Sequence, residues 1–504
     1  MMIAMRMRRL FPLLGCLLFG AATAGAGTPT PTATPVRVDR SGRLDPGFGV
    51  GGVAQSPFGG PERWEAVIVR TDGSIVTAGS ARSDLVLGRF DPAGAPDPSF
   101  GEAGLVTAPL PHGGRARAVA TTGGGDLVVV GSAYGDPESG FPTDVAVLRF
   151  DADGTPDAAF GNDGVVTIDL GQRNEEATAV VVQGSGRIVV LADSNGPELM
   201  SPAGTVVLFG LRPDGRPDPA FGDAGRVEMS GAVEEVWSAD AMVRTANGDL
   251  LVVLGSYDGD DLESSNYRFR LVRFDRDGHE RWTTEGAGYA IGLGVLVDDT
   301  IVLHGSFTIG NLGAAAAFFR FDDDGALDTT LGEQGLITSA EDGPGIVAID
   351  PQNRIVVAAE RVARHYSDGV LDESFGDDGF AENSRSMVHR GLALQSDGKI
   401  LSAGEICLFD PNGGFSGCRA QLVRYESDAT QLCGDADGDE TFSVTDGVAT
   451  LRAAAGLTSV CSYAVCDVDG DGTIGVTDGV NVLRAAAELP AALMCGADLT
   501  DPSR

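Results

Sequence analysis

A mainly β fold built from repeated four-stranded antiparallel units, followed by a small α module at the C-terminal end, is what this 504-residue chain predicts. Three observations predict it. One phrase recurs, as RLDPGFGVGGV at Arg43, APDPSFGEAGLV at Ala95, TPDAAFGNDGVV at Thr155, RPDPAFGDAGRV at Arg216, ALDTTLGEQGLI at Ala326 and VLDESFGDDGF at Val370. Between the phrases, Val/Ile/Leu runs of strand length are bounded by Gly, Asp and Pro. Near the C-terminus the pattern changes to two Ala/Leu/Arg-rich stretches with apolar residues at helical spacing, GVATLRAAAG from Gly447 and GVNVLRAAAE from Gly479.

A phrase that recurs at a steady period marks one supersecondary unit per copy. Anchors before glycine fall at Phe48, Phe100, Phe160, Phe221, Leu331 and Phe375, with a degraded copy near Thr284, so the intervals are 52, 60, 61, 63, 47 and 44 residues. One more step of 60 from Phe375 reaches Asp435, which fits seven units. The first unit contains a short GVAQ segment, then WEAVIVRTDG, SIVTAGSA and DLVLGRFDPAG, four strands in sequence. Asp72-Gly73, Asn247-Gly248 and Asp397-Gly398 sit between the second and third runs and suit two-residue hairpin turns, whose central positions need positive φ. Four antiparallel strands at this period are the pattern of propeller blades, so the expected fold is a seven-bladed β-propeller. VRVDRSG (Val36 to Gly42) matches GRFDPAG, so Val36 to Val38 is expected to complete the last blade and close the ring. The fifth unit carries RWTTEGAGYA in place of the phrase and lacks a clear first strand; an open or irregular ring is the alternative.

The remaining organisation follows from composition. Residues 1–26 have a basic start (Arg6, Arg8, Arg9), an apolar run from Leu10 to Ala22 and A-x-A endings at Ala22/Ala24 or Ala24/Ala26, the anatomy of a secretory signal peptide. LLGC at Leu13 to Cys16 offers lipoprotein anchoring at Cys16 as a minor alternative. Residues 27–35 form a Pro/Thr tether, 36–430 the repeat region, 432–498 the C-terminal module and 499–504 a tail. No second apolar stretch is long enough to span a membrane. A net charge of −36 argues against nucleic acid, whose phosphates require Lys and Arg. Six cysteines remain after the leader, namely Cys407, Cys418, Cys433, Cys461, Cys466 and Cys495, an even number that suits disulfides in an oxidising compartment. Cys407 and Cys418 stand together, while Cys433/Cys461 and Cys466/Cys495 flank the two halves of the module; four cysteines in the module allow three connectivities.

The sharpest chemical signal is a pair of acidic loops, DADGDETFSVTD at 435–446 and DVDGDGTIGVTD at 467–478. Each puts Asp at places 1, 3, 5 and 12, and a calcium loop takes its six to eight oxygens from places 1, 3, 5, 7, 9 and 12. Loop followed by helix, twice in phase, resembles the dockerin type I module, with Asp rather than Glu at the twelfth place and one helix per loop. That resemblance covers about the last 70 residues. It implies two Ca2+ ions, one held by Asp435, Asp437, Asp439, Ser443 and Asp446 with the Thr441 carbonyl, the other by Asp467, Asp469, Asp471 and Asp478 with the Thr473 carbonyl. It also implies a cohesin-like partner, and Val444/Thr445 and Val476/Thr477, which precede the last ligands, form a symmetric pair of partner-choosing positions. Place 6 is Gly472 in the second loop but Glu440 in the first, where a left-handed backbone costs about 1 kcal/mol, so the first loop is expected to bind more weakly.

The repeat region resembles the delta-60 repeat family of bacterial secreted proteins through phrases such as LDESFGDDG and DGKILSAG. The family implies a β-propeller-like fold and brings no catalytic motif. Inside the repeats, Asp151/Asp153, Asp275/Asp277 and Asp322 to Asp324 fall in the turn after each RF strand and read as turn caps. His112, His279, His304, His365 and His389 lie at unrelated positions with no ligand-pair spacing. Trp64, Trp237 and Trp282 are candidates for stacking on sugar, with packing between sheets as the better reading. No acid, base and nucleophile stand together, so a binding or scaffold protein with a glycan or protein on its propeller face is expected. An extracellular polysaccharide-degrading enzyme, the kind of partner dockerins commonly carry, and a purely structural calcium clamp are the alternatives.

Overall fold

The computed structural model describes residues 37–432 apart from 57–61, 137, 139–141, 172–173, 196–204, 230–235, 259–265, 309–313, 333–334, 340, 342, 383, 385–386, 410–414 and 428–429, and then 443–455, 457, 466, 468 and 474–487. Strands follow one another in antiparallel sheets. Sheet A comprises Glu62–Val69, Ile75–Ala81, Asp84–Phe90 and Leu105–Thr107. An eight-stranded sheet follows. Its two four-stranded halves, B (Gly114–Thr121, Leu127–Tyr134, Thr143–Phe150, Val165–Ile168) and C (Asn174–Val182, Ile188–Asn195, Thr205–Leu211, Arg226–Met229), are joined by one parallel pairing, Asn174 with Thr143. Sheet D comprises Val236–Arg244, Leu250–Asp258, Asn266–Phe274 and Glu280–Ala287, and sheet E Tyr289–Val295, Ile301–Thr308, Ala314–Phe321 and Leu336–Thr338. Sheet F has three strands, Ile346–Ile349, Ile355–Ala358 and Val362–His365. Sheet G joins Val388–Leu394, Ile400–Phe409 and Phe415–Tyr425 to Val53–Gln55 from the other end of the chain.

Middle strands such as Leu127–Tyr134 are buried almost throughout, because sheets cover both their faces, and this is why they read as unbroken Val/Leu runs. Apolar clusters fill each gap between successive sheets. Val76, Leu87 and Phe100 of sheet A meet Ala116, Val129 and Leu148 of sheet B. The same arrangement returns at the end of the chain, where Leu401, Ala403 and Leu422 of sheet G pack on Trp64, Val67 and Ile75 of sheet A. The first strands of the sheets adjoin one another in the same cyclic order, Val388–Leu394 lying against Glu62–Val69.

The recurring phrase is a clamp between units. Arg89 Nε donates to Asp97 Oδ2 at 2.9 Å, its guanidinium lies 4.8 Å from the Phe100 ring centre, and Nη1 donates to the Ala152 carbonyl of the next unit. Arg364 repeats this with Asp372 at 2.8 Å, Phe375 at 4.5 Å and the Ser427 carbonyl at 3.2 Å. Sheet C has Gly210 where the arginine would stand, and Arg187, just before the adjacent strand, takes over, bonding Asp218 at 2.6 Å and the Arg276 carbonyl at 2.8 Å. Glycine in the following turn is required by the same clamp: Gly94 has φ +82°, and a Cβ there would stand 2.7 Å from the Phe48 ring.

Three expectations are corrected. Sheet G is closed by Val53–Gln55, which pairs with Gln421 to Val423, and not by Val36 to Val38. Arg37–Asp39 instead forms a separate two-stranded ribbon with Thr430–Leu432. The match of VRVDRSG to GRFDPAG holds for the turn, since Gly42 N donates to the Glu426 carbonyl and Gly42 sits under Phe375. The strand before that turn, however, comes from the C-terminal end of the domain, Phe415–Tyr425, and Arg424 bonds Asp45 at 2.7 Å across the junction. RWTTEGAGYA holds the last strand of sheet D, the counterpart of the GVAQ segment, and the start of sheet E's first strand, so the first strand of the fifth unit exists. The Asp-Gly hairpins take positive φ only at the glycine (Gly73 +81°, Gly248 +94°, Gly398 +86°), the pattern of a type I turn followed by a glycine bulge rather than a two-residue turn.

Beyond the sheets lie helices α1 (Val444–Ala454) and α2 (Val476–Ala486). They cross closely and symmetrically: a Cβ on Gly447 would stand 2.4 Å from Leu483, and one on Gly479 2.5 Å from Leu451.

Candidate functional site

The first strand of most sheets carries a β-bulge at the same place. Register shifts fall between Trp64 and Ala66, Ala116 and Ala118, Ala177 and Ala179, Ala239 and Ala241, Ala290 and Gly292, and His389 and Gly391. The extra residues are Glu65, Arg117, Thr178, Asp240, Ile291 and Arg390. A bulge re-aims a side chain out of the alternating pattern. Because the first strands adjoin in a cycle, three of these side chains meet, with Arg117 and Arg390 both on Glu65.

A charged chain results. Glu65, whose side chain is 4% exposed, lies 3.0 Å from Arg63, 3.4 Å from Arg115, 3.5 Å from Arg117 and 3.8 Å from Arg390. Arg390 also pairs with Glu405 at 2.6 Å, and Arg117 with Glu176 at 2.9 Å. Glu176 and Asp193 border a cavity of about 180 Å³ with Arg115, Ser132, Tyr134 and Thr143. Asp193 Oδ2 accepts from the Ala239 amide at 3.0 Å, and Asp240 accepts from Ser238 Oγ at 3.1 Å.

Electrostatics divide this chain in two. On one side guanidinium groups outnumber carboxylates around Glu65. On the other, burial pushes Asp193 up to about 6, aided by Glu176, and pushes Asp240 up to about 8, aided by Asp193. Tyr289, beside them, is raised to about 12 by burial and by Asp240. Burial thus favours the protonated form of the Asp240 carboxyl, at a distance from the guanidinium groups around Glu65. Such a surface can bind anionic or hydroxyl-rich groups and can hold a proton ready for transfer.

None of these residues was expected from the sequence, although a signal exists in retrospect: small residues flank the bulge in ARA, ATA and ADA at 116–118, 177–179 and 239–241. Of the turn aspartates, Asp153, Asp275 and Asp322 are caps, as expected, whereas Asp277 and Asp323 pair with Arg187 and Arg273. Asp91 Oδ1 accepts from the Ala93 and Ala95 amides, both at 2.9 Å, and Asp322 and Asp275 do the same in their turns. Trp64 is core, 1% exposed and edge-on to Phe90, while Trp282 packs over Gly325 and donates to the Asp323 carbonyl at 3.0 Å. The Trp237 side chain lies outside the described residues. The histidines are not all unrelated: His304 and His365 meet at Glu341.

Of the expected calcium ligands, Asp435, Asp437, Asp439, Thr441, Asp467, Asp469, Asp471 and Thr473 lie outside the described residues. Ser443, Asp446 and Asp478 lie within them. Ser443 N and Oγ each donate to Asp446 Oδ2 at 2.8 Å, a capping box at the start of α1. Asp478 accepts from Gly475 N at 2.7 Å and, through its other oxygen, from Val468 N at 2.8 Å. Both twelfth-place carboxylates are buried and folded back onto their loops. Cys407 and Cys418 form a disulfide across paired strands, as grouped from the sequence. Cys466 is disulfide-bonded, and Cys433, Cys461 and Cys495 lie outside the described residues. Among the described residues, no helix is long and apolar enough to cross a membrane.

The profile of the family described as "Domain of unknown function (DUF5122) beta-propeller" matches residues 70–100 and 125–160, in sheets A and B. A propeller-like repeat domain is thus supported from sequence as well as from the sheets. No curated protein matches the chain. Solved structures to which the chain is similar include an ulvan lyase of polysaccharide lyase family PL25, with TM-score 0.43, 10% identity, and coverage of 75% of this chain and 97% of that one. A gluconolactonase from Xanthomonas campestris has TM-score 0.32 and 14% identity over 59% of this chain and 90% of that one. An acylaminoacyl peptidase from Pyrococcus horikoshii has TM-score 0.38 and 9% identity over 71% of this chain, and the match spans only 52% of the peptidase. At these values the likenesses carry no argument about fold or activity.

Proposed function

We propose that the chain is an exported seven-bladed β-propeller that acts as an extracellular binding or scaffold module, with a calcium-loaded dockerin-like module for attachment to a cohesin-like partner. Counting B and C separately gives seven units, and the cyclic packing of sheet G on sheet A favours a closed ring. The observation that carries the binding reading is the convergence of bulged, charged residues from separate first strands around Glu65. That is how a propeller builds a ligand surface at its axis. The ligand class it favours is an anionic or hydroxyl-rich glycan, held by guanidinium and carboxyl donors.

For the module, the described donors fit calcium: Asp446 and Asp478 are buried carboxylates drawn into their loops. Asp435, Asp437, Asp439, Ser443 and Asp446 would hold one ion, and Asp467, Asp469, Asp471 and Asp478 the other, with carbonyls from Thr441 and Thr473. Calcium there would fix each loop against its helix. The signal-like leader supports export, where calcium is plentiful and disulfides persist.

A second reading, a polysaccharide-cleaving enzyme, is favoured by the raised Asp193 and Asp240. A glycan array combined with a polysaccharide-degradation screen separates the two. Retention of acidic glycans without sugar release supports the binding module, whereas release abolished by Asp240→Asn replaces it with the enzyme. Calorimetry on the full chain with and without calcium tests the loops, and no uptake of calcium would remove the dockerin-like role. Pull-down by a cohesin separates docking from an intramolecular clamp.

A further inference from the structure

Sheet F is about half the height of its neighbours. Its second strand, Ile355–Ala358, has four residues, where the second strands of the other sheets have seven to ten. The segment that should supply a fourth strand pairs with the sheet through one bridge, Ala363 with Phe380, and then turns to the other end of the chain, where Glu382 N donates to the Gly42 carbonyl at 2.8 Å. Beside the shortened hairpin lies a cavity of about 600 Å³, bordered by Arg361 at the hairpin tip, by Phe380, Glu382 and Ser384 of the departing segment, and by Arg43.

The two arginines of this cavity lack what the clamp arginines have. Arg89, Arg364 and Arg424 are each ion-paired, whereas Arg361 and Arg43 form no ion pair among the described residues. Carboxylates are not scarce, since the chain carries 72 Asp and Glu against 36 Lys and Arg. The Arg361 guanidinium lies 3.2 Å from the Phe380 ring centre, and its Nε is buried without a hydrogen-bond partner among the described residues. An aromatic ring occupies the face of a guanidinium and leaves its in-plane N–H groups for a planar oxyanion. Of the two carboxylates at the border, Glu382 accepts from the Leu44 amide at 3.2 Å and acts on Arg40, and Asp377 is exposed. On the inner side of the same tip a second cavity, of about 630 Å³, is bordered by Ala359, by the bulged Ile291, and by Val388 and His389 of the strand that carries Arg390. The low tip of sheet F therefore stands between the two unpaired arginines and the charged residues of the axis.

We propose that Arg361 and Arg43 form an outer subsite that holds the carboxylate or sulfate of one sugar unit of an acidic glycan, a ligand class that rests on the extracellular binding role proposed above. The glycan reaches this subsite from the axis over the tip of sheet F, the one sheet low enough to be crossed. Arg361 grips the oxyanion from the Phe380 side and Arg43 from the opposite end of the chain. Asp377 opposes the bound anion, so the subsite is held below its full affinity. A neutral sugar gains nothing from the two guanidinium groups and is not retained there.

The test is calorimetry on the full chain, saturated with calcium, using hexagalacturonate as the carboxylate probe and a heparin-derived hexasaccharide as the sulfate probe; whichever binds names the oxyanion. Arg361→Gln should weaken that binding about tenfold, and Asp377→Asn should tighten it about two- to threefold, with circular dichroism that of the parent in both. Arg117→Gln reports on the axis separately. Weakening in Arg117→Gln with none in Arg361→Gln overturns the outer subsite and leaves the axial reading standing, whereas weakening in Arg361→Gln alone supports the subsite and removes the axis. If Arg361→Gln fails to fold, affinity unchanged or lowered in Asp377→Asn overturns the subsite. Binding of neither probe overturns both.

Discussion

The rim of the repeat domain and its axis are built from the same strands but by opposite rules. At the rim, Arg89, Arg364 and Arg424 repeat one geometry: a carboxylate partner, an aromatic ring and a carbonyl of the next unit. At the axis, the bulge places Glu, Arg, Thr, Asp, Ile and Arg at equivalent positions, so no two neighbours do the same thing. Repetition at the rim secures the fold, and variation at the axis gives each unit a different side chain at the same position.

Breaking the rim should cost the most. Arg364→Ala leaves Asp372, whose side chain is 1% exposed, without its guanidinium partner, and should lower stability by about 3 kcal/mol in denaturant unfolding; a loss under about 1 kcal/mol would mean that the clamp is ornamental. Gly94→Ala adds a Cβ against Phe48 at φ +82° and should cost about 3 kcal/mol, measured the same way. At the axis the effect is one of pH. Asp240 has a folded pKa of about 8, above the ordinary carboxyl value, so the folded state keeps a proton that the unfolded chain releases. Stability should therefore fall as pH rises from about 4 to about 8, with a slope of up to about 1.4 kcal/mol per pH unit from this group. Asp240→Asn should remove that slope, and an unchanged profile would show that Asp240 is ionised. Smallest is Glu65→Gln, about 1 kcal/mol, because the arginines around it are a quarter to a third exposed and water replaces the lost charge. If Glu65→Gln cost as much as Arg364→Ala, the axis would be structural and the contrast would fail.

The rim was legible in the sequence because half of its contacts are local. Arg364 and Asp372 are eight residues apart, so this pair is contained in one phrase and recurs with it, while the carbonyl that the arginine also holds belongs to the next unit. The axis was not, because Glu65 meets Arg115 and Arg390 from strands far along the chain, and bulges are invisible to a period-two pattern. His304 and His365 looked scattered for the same reason, since Glu341 brings them together only through the packing of sheet E on sheet F. The closing strand was misplaced because VRVDRSG resembles a whole unit end, whereas only its turn is used and Val53–Gln55 completes the sheet. In the C-terminal module the helices follow the sequence pattern; Asp446 and Asp478, expected as calcium ligands, accept from backbone at the helix starts, and most of the other expected ligands fall outside the described residues.

The ribbon of Arg37–Asp39 on Thr430–Leu432 sets how the domain answers mechanical load. Its strands are antiparallel, with Arg37 opposite Leu432, so the chain enters and leaves the domain side by side at one end of the ribbon. A pull on the two ends opens the ribbon as a zipper, one residue pair after another, instead of shearing all three pairs together. The ribbon therefore yields at low force and lengthens the connection on either side, and the tension reaches Arg424 and Asp45 only after that slack is spent.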